Sequence, residues 1–204
     1  MTFKQALKTG RFWLLAVGFF FIAVFAGATN THTVPYLSDM GYPIATVSLV
    51  MSMFMVFLTV GKIIFGLIYD RMGIMAGNIC ISLFCLTFPI AALLSYIPMF
   101  TWVYAVAIGM ASCGISIPIP VITAEYFGKK DYPMIFSVFT MITTIGPSLS
   151  VPLMGAVYDQ AGSYRPAWVA FWVFSVIISM CMISAELAHR ANKKAAHQHL
   201  EKEL

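Results

Sequence analysis

The stretch "MGIMAGNICISLFCLTFPIAALLSYIPMFTWVYAVAIGMASCGISIPIPVITA", Met72 to Ala124, runs 53 residues without one Asp, Glu, Lys or Arg. About 20 apolar residues cross a bilayer as one helix, so this run holds two crossings. The turn "SYIPMF", Ser95 to Phe100, is the natural place to divide it. The rest of the chain has the same character. Of 204 residues, 60% are hydrophobic and only 10% are charged. Soluble domains carry about 25% charged residues, and one core of this size could not hide so much apolar surface. The fold class expected is an all-α membrane protein. Helices are preferred to a barrel because the apolar blocks are continuous and do not alternate.

Working outward from that run, six spans are predicted at about 12–33, 44–69, 74–94, 102–124, 133–158 and 166–187, with a segment 1–11 before them and a tail 188–204 after them. An even number puts both termini on one side. Ten basic residues fall on that side: Lys4, Lys8, Arg11, Arg71, Lys129, Lys130, Arg190, Lys193, Lys194 and Lys202. Only Arg165 falls on the other. Short loops rich in Lys and Arg are retained in the cytoplasm, so both ends are expected there, in a plasma or inner cell membrane. The net charge of +4 is thus a topology signal. Scattered over separate short loops, it gives no nucleic-acid surface. The tail reads as a solvated end touching anionic lipid.

The four cysteines, Cys80, Cys85, Cys113 and Cys181, lie within spans at spacings of no zinc or redox pattern. No metal and no cofactor is expected. An enzyme is disfavoured too, since no metalloprotease motif or cysteine–histidine cluster occurs.

Two helix ends repeat. "GLIYDRMG" (Gly66 to Gly73) and "GAVYDQAG" (Gly155 to Gly162) both read G-x-x-Y-D-x-x-G, and each closes a span that begins after Tyr-Pro, at Tyr42-Pro43 and Tyr132-Pro133. Three spans separate the copies, so one ends on each side of the membrane. An inverted pair of three-helix units produces that pattern.

These residues resemble the major facilitator superfamily. "GLIYDRMG" is similar to its loop signature, with Gly66, Asp70, Arg71 and Gly73 at the signature positions. Together with "AEYFGKKDYP" and "GPSLSVPLMGAVYDQAGSY", it resembles the oxalate/formate antiporter and monocarboxylate transporter branch. The resemblance implies half of a major facilitator fold, the C-terminal half of a twelve-span transporter working by alternating access. Its substrate would be a small organic anion, either proton-coupled or exchanged. Its partner would be a matching N-terminal six-span half or a second copy. The alternative is a truncated, structural or regulatory membrane subunit that transports nothing alone.

Within the second span, Lys62 is the costly residue. It lies eight residues before Asp70, roughly 12 Å of helix rise. Ser48, Met55, Thr59 and Gly66 share its stripe, which suggests an interior or wet face. A charge there calls for a partner. The resemblance implies that a cation here binds the substrate carboxylate, although arginine is the usual family residue. Lysine offers a point charge in place of a fork. A snorkelling anchor is the competing account. The oxalate-exchanging branch carries a second cation on the helix matching span five, where this chain has none. One positive charge suits a monocarboxylate such as formate, lactate or pyruvate. His32, among polar residues at the outer end of span one, is a further candidate for substrate or proton. Pro118, Pro120, Gly146 and Pro147 are candidate hinges.

Overall fold

The computed structural model describes the backbone of residues 1–203 and the side chains of residues 1–191. Among the described residues every regular element is a helix: α1 (Phe3–Leu7), α2 (Gly10–Asp39), α3 (Ile44–Leu93), α4 (Pro98–Ser116), α5 (Pro118–Phe127), α6 (Tyr132–Ala161) and α7 (Arg165–Glu203). The tail's expected lipid contact concerns mostly residues 192–204, which lie outside the described side chains.

The helix ends follow from local chemistry. Short α1 opens with a capping box, in which Thr2 and Gln5 satisfy each other's backbone N–H groups. Proline lies in the first turn of α4, α5 and α6, where its missing N–H costs nothing. Glycine stops helices at the other end. Gly128 follows α5 at φ 73°, and Gly162 follows α6 at φ 63°, its N–H donating to the Tyr158 carbonyl at 2.8 Å.

The α3 helix is the longest, and it holds the division between two predicted spans. Its 50 residues are more than twice the about 20 that one crossing needs. Its regularity breaks at Gly73, at φ 82° and ψ 175°. The limbs before and after that glycine are each long enough to cross. In contrast, α4 and α5 together make one apolar unit, Pro98–Phe127, interrupted at Ile117. Pro118 and Pro120 lack the N–H groups that would have joined the two. By length and composition, these units and α2, α6 and α7 are apolar enough to span.

The most buried helix is α2, lined almost continuously by buried residues from Ile22 to Thr29. The first limb of α3 packs on α4, and α6 packs on α2. Both contacts are backbone-close. A Cβ at Gly146 would stand 2.7 Å from the Ala23 Cβ and 2.8 Å from the Val24 nitrogen. A Cβ at Gly109 would stand 2.8 Å from the Phe54 carbonyl oxygen. Small residues at such crossings let helices gain dispersion contacts where lipid supplies no hydrophobic drive. Near one end of the bundle, Trp168 is fully buried among Tyr36, Phe88, Tyr104 and Phe171, with centroid distances of 5.3 to 6.3 Å.

Candidate functional site

Thr59 and Lys62 are exposed on the first limb of α3. Ser48, Ser52 and Met55 lie exposed on the same helix. Gly61, next to Lys62, packs against Cys113 and Met110 of α4. The Lys62 ammonium makes no hydrogen bond or ion pair among the described residues. An ammonium has three donors and no acceptor, so its requirement is an anion or a set of oxygen acceptors.

A second polar row lies exposed on α6, formed by Ser137, Thr140, Thr144 and Ser148. Each hydroxyl donates to a carbonyl four residues back, at 2.7 to 3.3 Å. Thr59 does the same to Met55 at 3.0 Å. Their protons are spent inside the helix, so the oxygen lone pairs point outward as acceptors. The sequence reading passed over this row. Its spacing of three, four and four residues was the signal that could have found it.

His32 is placed apart from Lys62 and Thr59. It is 9% exposed, and its Nε2 lies 3.1 Å from the Val151 carbonyl on α6. Its ring stands 5.7 Å from that of Tyr164, and its Nδ1 is buried without a partner. It ties α2 to α6 and does not join the α3 face.

Of the loop signature, Asp70 and Arg71 are exposed and make no ion pair among the described residues. At Gly66 a Cβ would meet nothing within 4 Å, so that glycine is not demanded by packing inside this chain. Gly73 is demanded by its backbone, because φ 82° is costly for any residue with a Cβ. Pro118 and Pro120 open α5 directly after the break. Gly146 and Pro147 lie inside unbroken α6, and the glycine is explained by close approach to α2.

The sequence also missed a buried carboxylate. Glu186 of α7 is 4% exposed, accepts a short hydrogen bond from the Tyr126 hydroxyl, and pairs with the Arg190 Nε at 2.6 Å. Tyr126 in turn stacks on His189 at 4.3 Å. A carboxylate at the edge of an apolar block reads as a solvated helix end, so no local signal marks it as buried.

Comparison with known proteins decides the family. The description Major Facilitator Superfamily matches residues 15–203. The chain belongs to the major facilitator superfamily. It is therefore a multi-pass membrane protein of a transporter family and not an enzyme. It is also similar to monocarboxylate transporter 12 of Xenopus laevis, with 25% identity over 191 residues, covering 90% of this chain and 41% of that relative. The chain thus spans about two-fifths of the length of the relative it matches.

Proposed function

We propose that this chain is the C-terminal six-helix half of a transporter for small monocarboxylates, of the formate, lactate or pyruvate type. The observation that carries the reading is Lys62: a cation within an apolar helix, exposed, with no counter-ion among the described residues. An uncompensated charge at membrane depth is expensive, and a substrate carboxylate is one partner that would repay it. The acceptor row on α6 and the Thr59 oxygen give the same surface a polar lining that a water-filled cavity can solvate. The amphibian relative's name adds the substrate class.

The first limb of α3 and α6 would face the other half, across which substrate passes by alternating access, coupled to protons or by exchange. The Gly73 and Gly162 pair supports the inverted repeat. The two glycines close the matching motifs, 89 residues apart, and both adopt positive φ. The packing of α3 on α4 and of α6 on α2, each through close glycines, is what two inverted three-helix units would give. Both termini, Arg71 and Lys129 would be cytoplasmic, with Arg165 outside. Asp70 and Arg71 would meet the opposite half. Pro118 and Pro120, with Gly146 and Pro147, would be where helices flex during rocking.

A second reading is a membrane subunit inactive by itself. A direct experiment separates the two. The chain is reconstituted in vesicles alone and with a matching N-terminal half supplied in trans, and labelled lactate uptake is followed. The proposal expects uptake only when both halves are present. No uptake of any short monocarboxylate from the combined halves would remove it.

A further inference from the structure

A cavity of about 380 Å³ opens where the C-terminal end of α2, the end of α3 and the start of α7 meet. Asp39, Arg165, Tyr164, Tyr36, Tyr96 and Leu93 line it. It stands apart from the Lys62 face, which lies on the first limb of α3. Its size is in the range of small-molecule sites.

Three of its groups have unspent bonding capacity. The Arg165 guanidinium makes no hydrogen bond or ion pair among the described residues; only its backbone N–H is used, donating to the Ser163 Oγ at 3.2 Å. Tyr164 is 7% exposed, yet its hydroxyl makes no hydrogen bond among the described residues. Burial, followed by the nearby Asp39 and Asp159 carboxylates, pushes that phenol above its ordinary range and keeps it a donor. Asp39 accepts from the Tyr158 hydroxyl through Oδ1 at 2.8 Å, and Oδ2 is left over. The remaining lining is Tyr36, Tyr96, Met40, Leu93 and Ser163, the last already accepting from the Arg165 backbone N–H. The Tyr36 hydroxyl is occupied by the Ala92 carbonyl, so Tyr36 offers its ring.

The cavity therefore presents one uncommitted cation, one half-committed carboxylate and tyrosine rings. A simple anion would meet Arg165 but be repelled by Asp39. A simple cation would meet the reverse. The geometry points to a binding site for a small zwitterion, a molecule carrying a carboxylate and an ammonium on an aromatic or apolar body. Arg165 and the Tyr164 hydroxyl take the carboxylate. Asp39 takes the ammonium, and the tyrosine faces favour it further. Leu93 and the rings cover the body. This assignment does not rest on Lys62 or on the monocarboxylate reading.

The test compares three ligands of one shape on the full chain in lipid nanodiscs, by titration calorimetry. Phenylalanine carries both charges, 3-phenylpropionate lacks the ammonium, and phenethylamine lacks the carboxylate. Phenylalanine is expected to bind at least about tenfold more tightly than either. Arg165→Gln and Asp39→Asn should each weaken it by about tenfold or more. Equal affinity for the three ligands, no binding of phenylalanine, or unchanged binding in both cavity variants would each overturn the assignment. The ligand series on the unsubstituted chain stands even if a variant fails to fold.

Discussion

Gly146 and Gly155 lie on the same helix nine residues apart, and their environments set opposite expectations. A side chain at 146 would strike the α2 backbone, while at 155 a Cβ would meet nothing within 4 Å. Gly146→Val should destabilise the fold by about 1–3 kcal/mol through overpacking. Gly155→Ala should be neutral or slightly stabilising, because it relieves helix-interior glycine. Thermal unfolding of the two variants in one detergent checks this; equal melting shifts would contradict the close crossing. The Glu186–Arg190 pair gives a second asymmetry. Glu186 is buried, and the Arg190 side chain is 54% exposed. Arg190→Ala strands a charge in the interior and should cost on the order of 3 kcal/mol, near the low end for such losses, since Tyr126 still donates to Glu186. Glu186→Gln leaves its former partner in solvent and should cost less. Chemical unfolding of both variants measures the order, and a larger loss from Glu186→Gln would contradict the burial.

Among the elements, apolar block length was the legible quantity. Continuous hydrophobic runs announce membrane helices because the bilayer leaves few other solutions for the backbone. The turn at Ser95 was legible too, and α3 ends at Leu93 just before it. Helix continuity was not legible. Nothing in composition says that α2 carries on past Pro35 to Asp39, since a proline near a helix end disturbs only one turn. The α6 hydroxyl row was hidden for a related reason: Ser and Thr return their protons to the helix and hardly interrupt an apolar block. The side of the membrane belongs to this scale as well. Single cysteines at positions 71 and 129, in a background without the native four, should resist an impermeant thiol reagent in intact cells, and one at 165 should react. Labelling at 71 with none at 165 would invert the topology.

For the whole molecule, the relation between α3, α6 and what they face is decisive. Met55, Val56, Ile63 and Leu67 on α3, and Met141, Ile145, Leu149 and Leu153 on α6, are exposed. Some of these meet lipid in any arrangement, but the Lys62 charge beside them does not suit hydrocarbon. The chain alone is therefore expected to self-associate in mild detergent. Native mass spectrometry showing a stable monodisperse monomer would count against a missing half. The site's chemistry was only partly readable. Lys62 stood out because charge is rare in such helices. Its exposure, and the tie of His32 to α6, follow from packing that one sequence does not print.

The most direct measurement is monocarboxylate uptake by the rebuilt two-half protein, normalised to folded protein in vesicles, for Lys62 and its variants. Lys62→Gln should lose most transport at normal insertion, because a charge-assisted hydrogen bond contributes about 1.5–3 kcal/mol. Lys62→Arg should keep part of it, the charge surviving with altered geometry. Full uptake by Lys62→Gln per folded molecule would make Lys62 a membrane anchor and remove the carboxylate from the account.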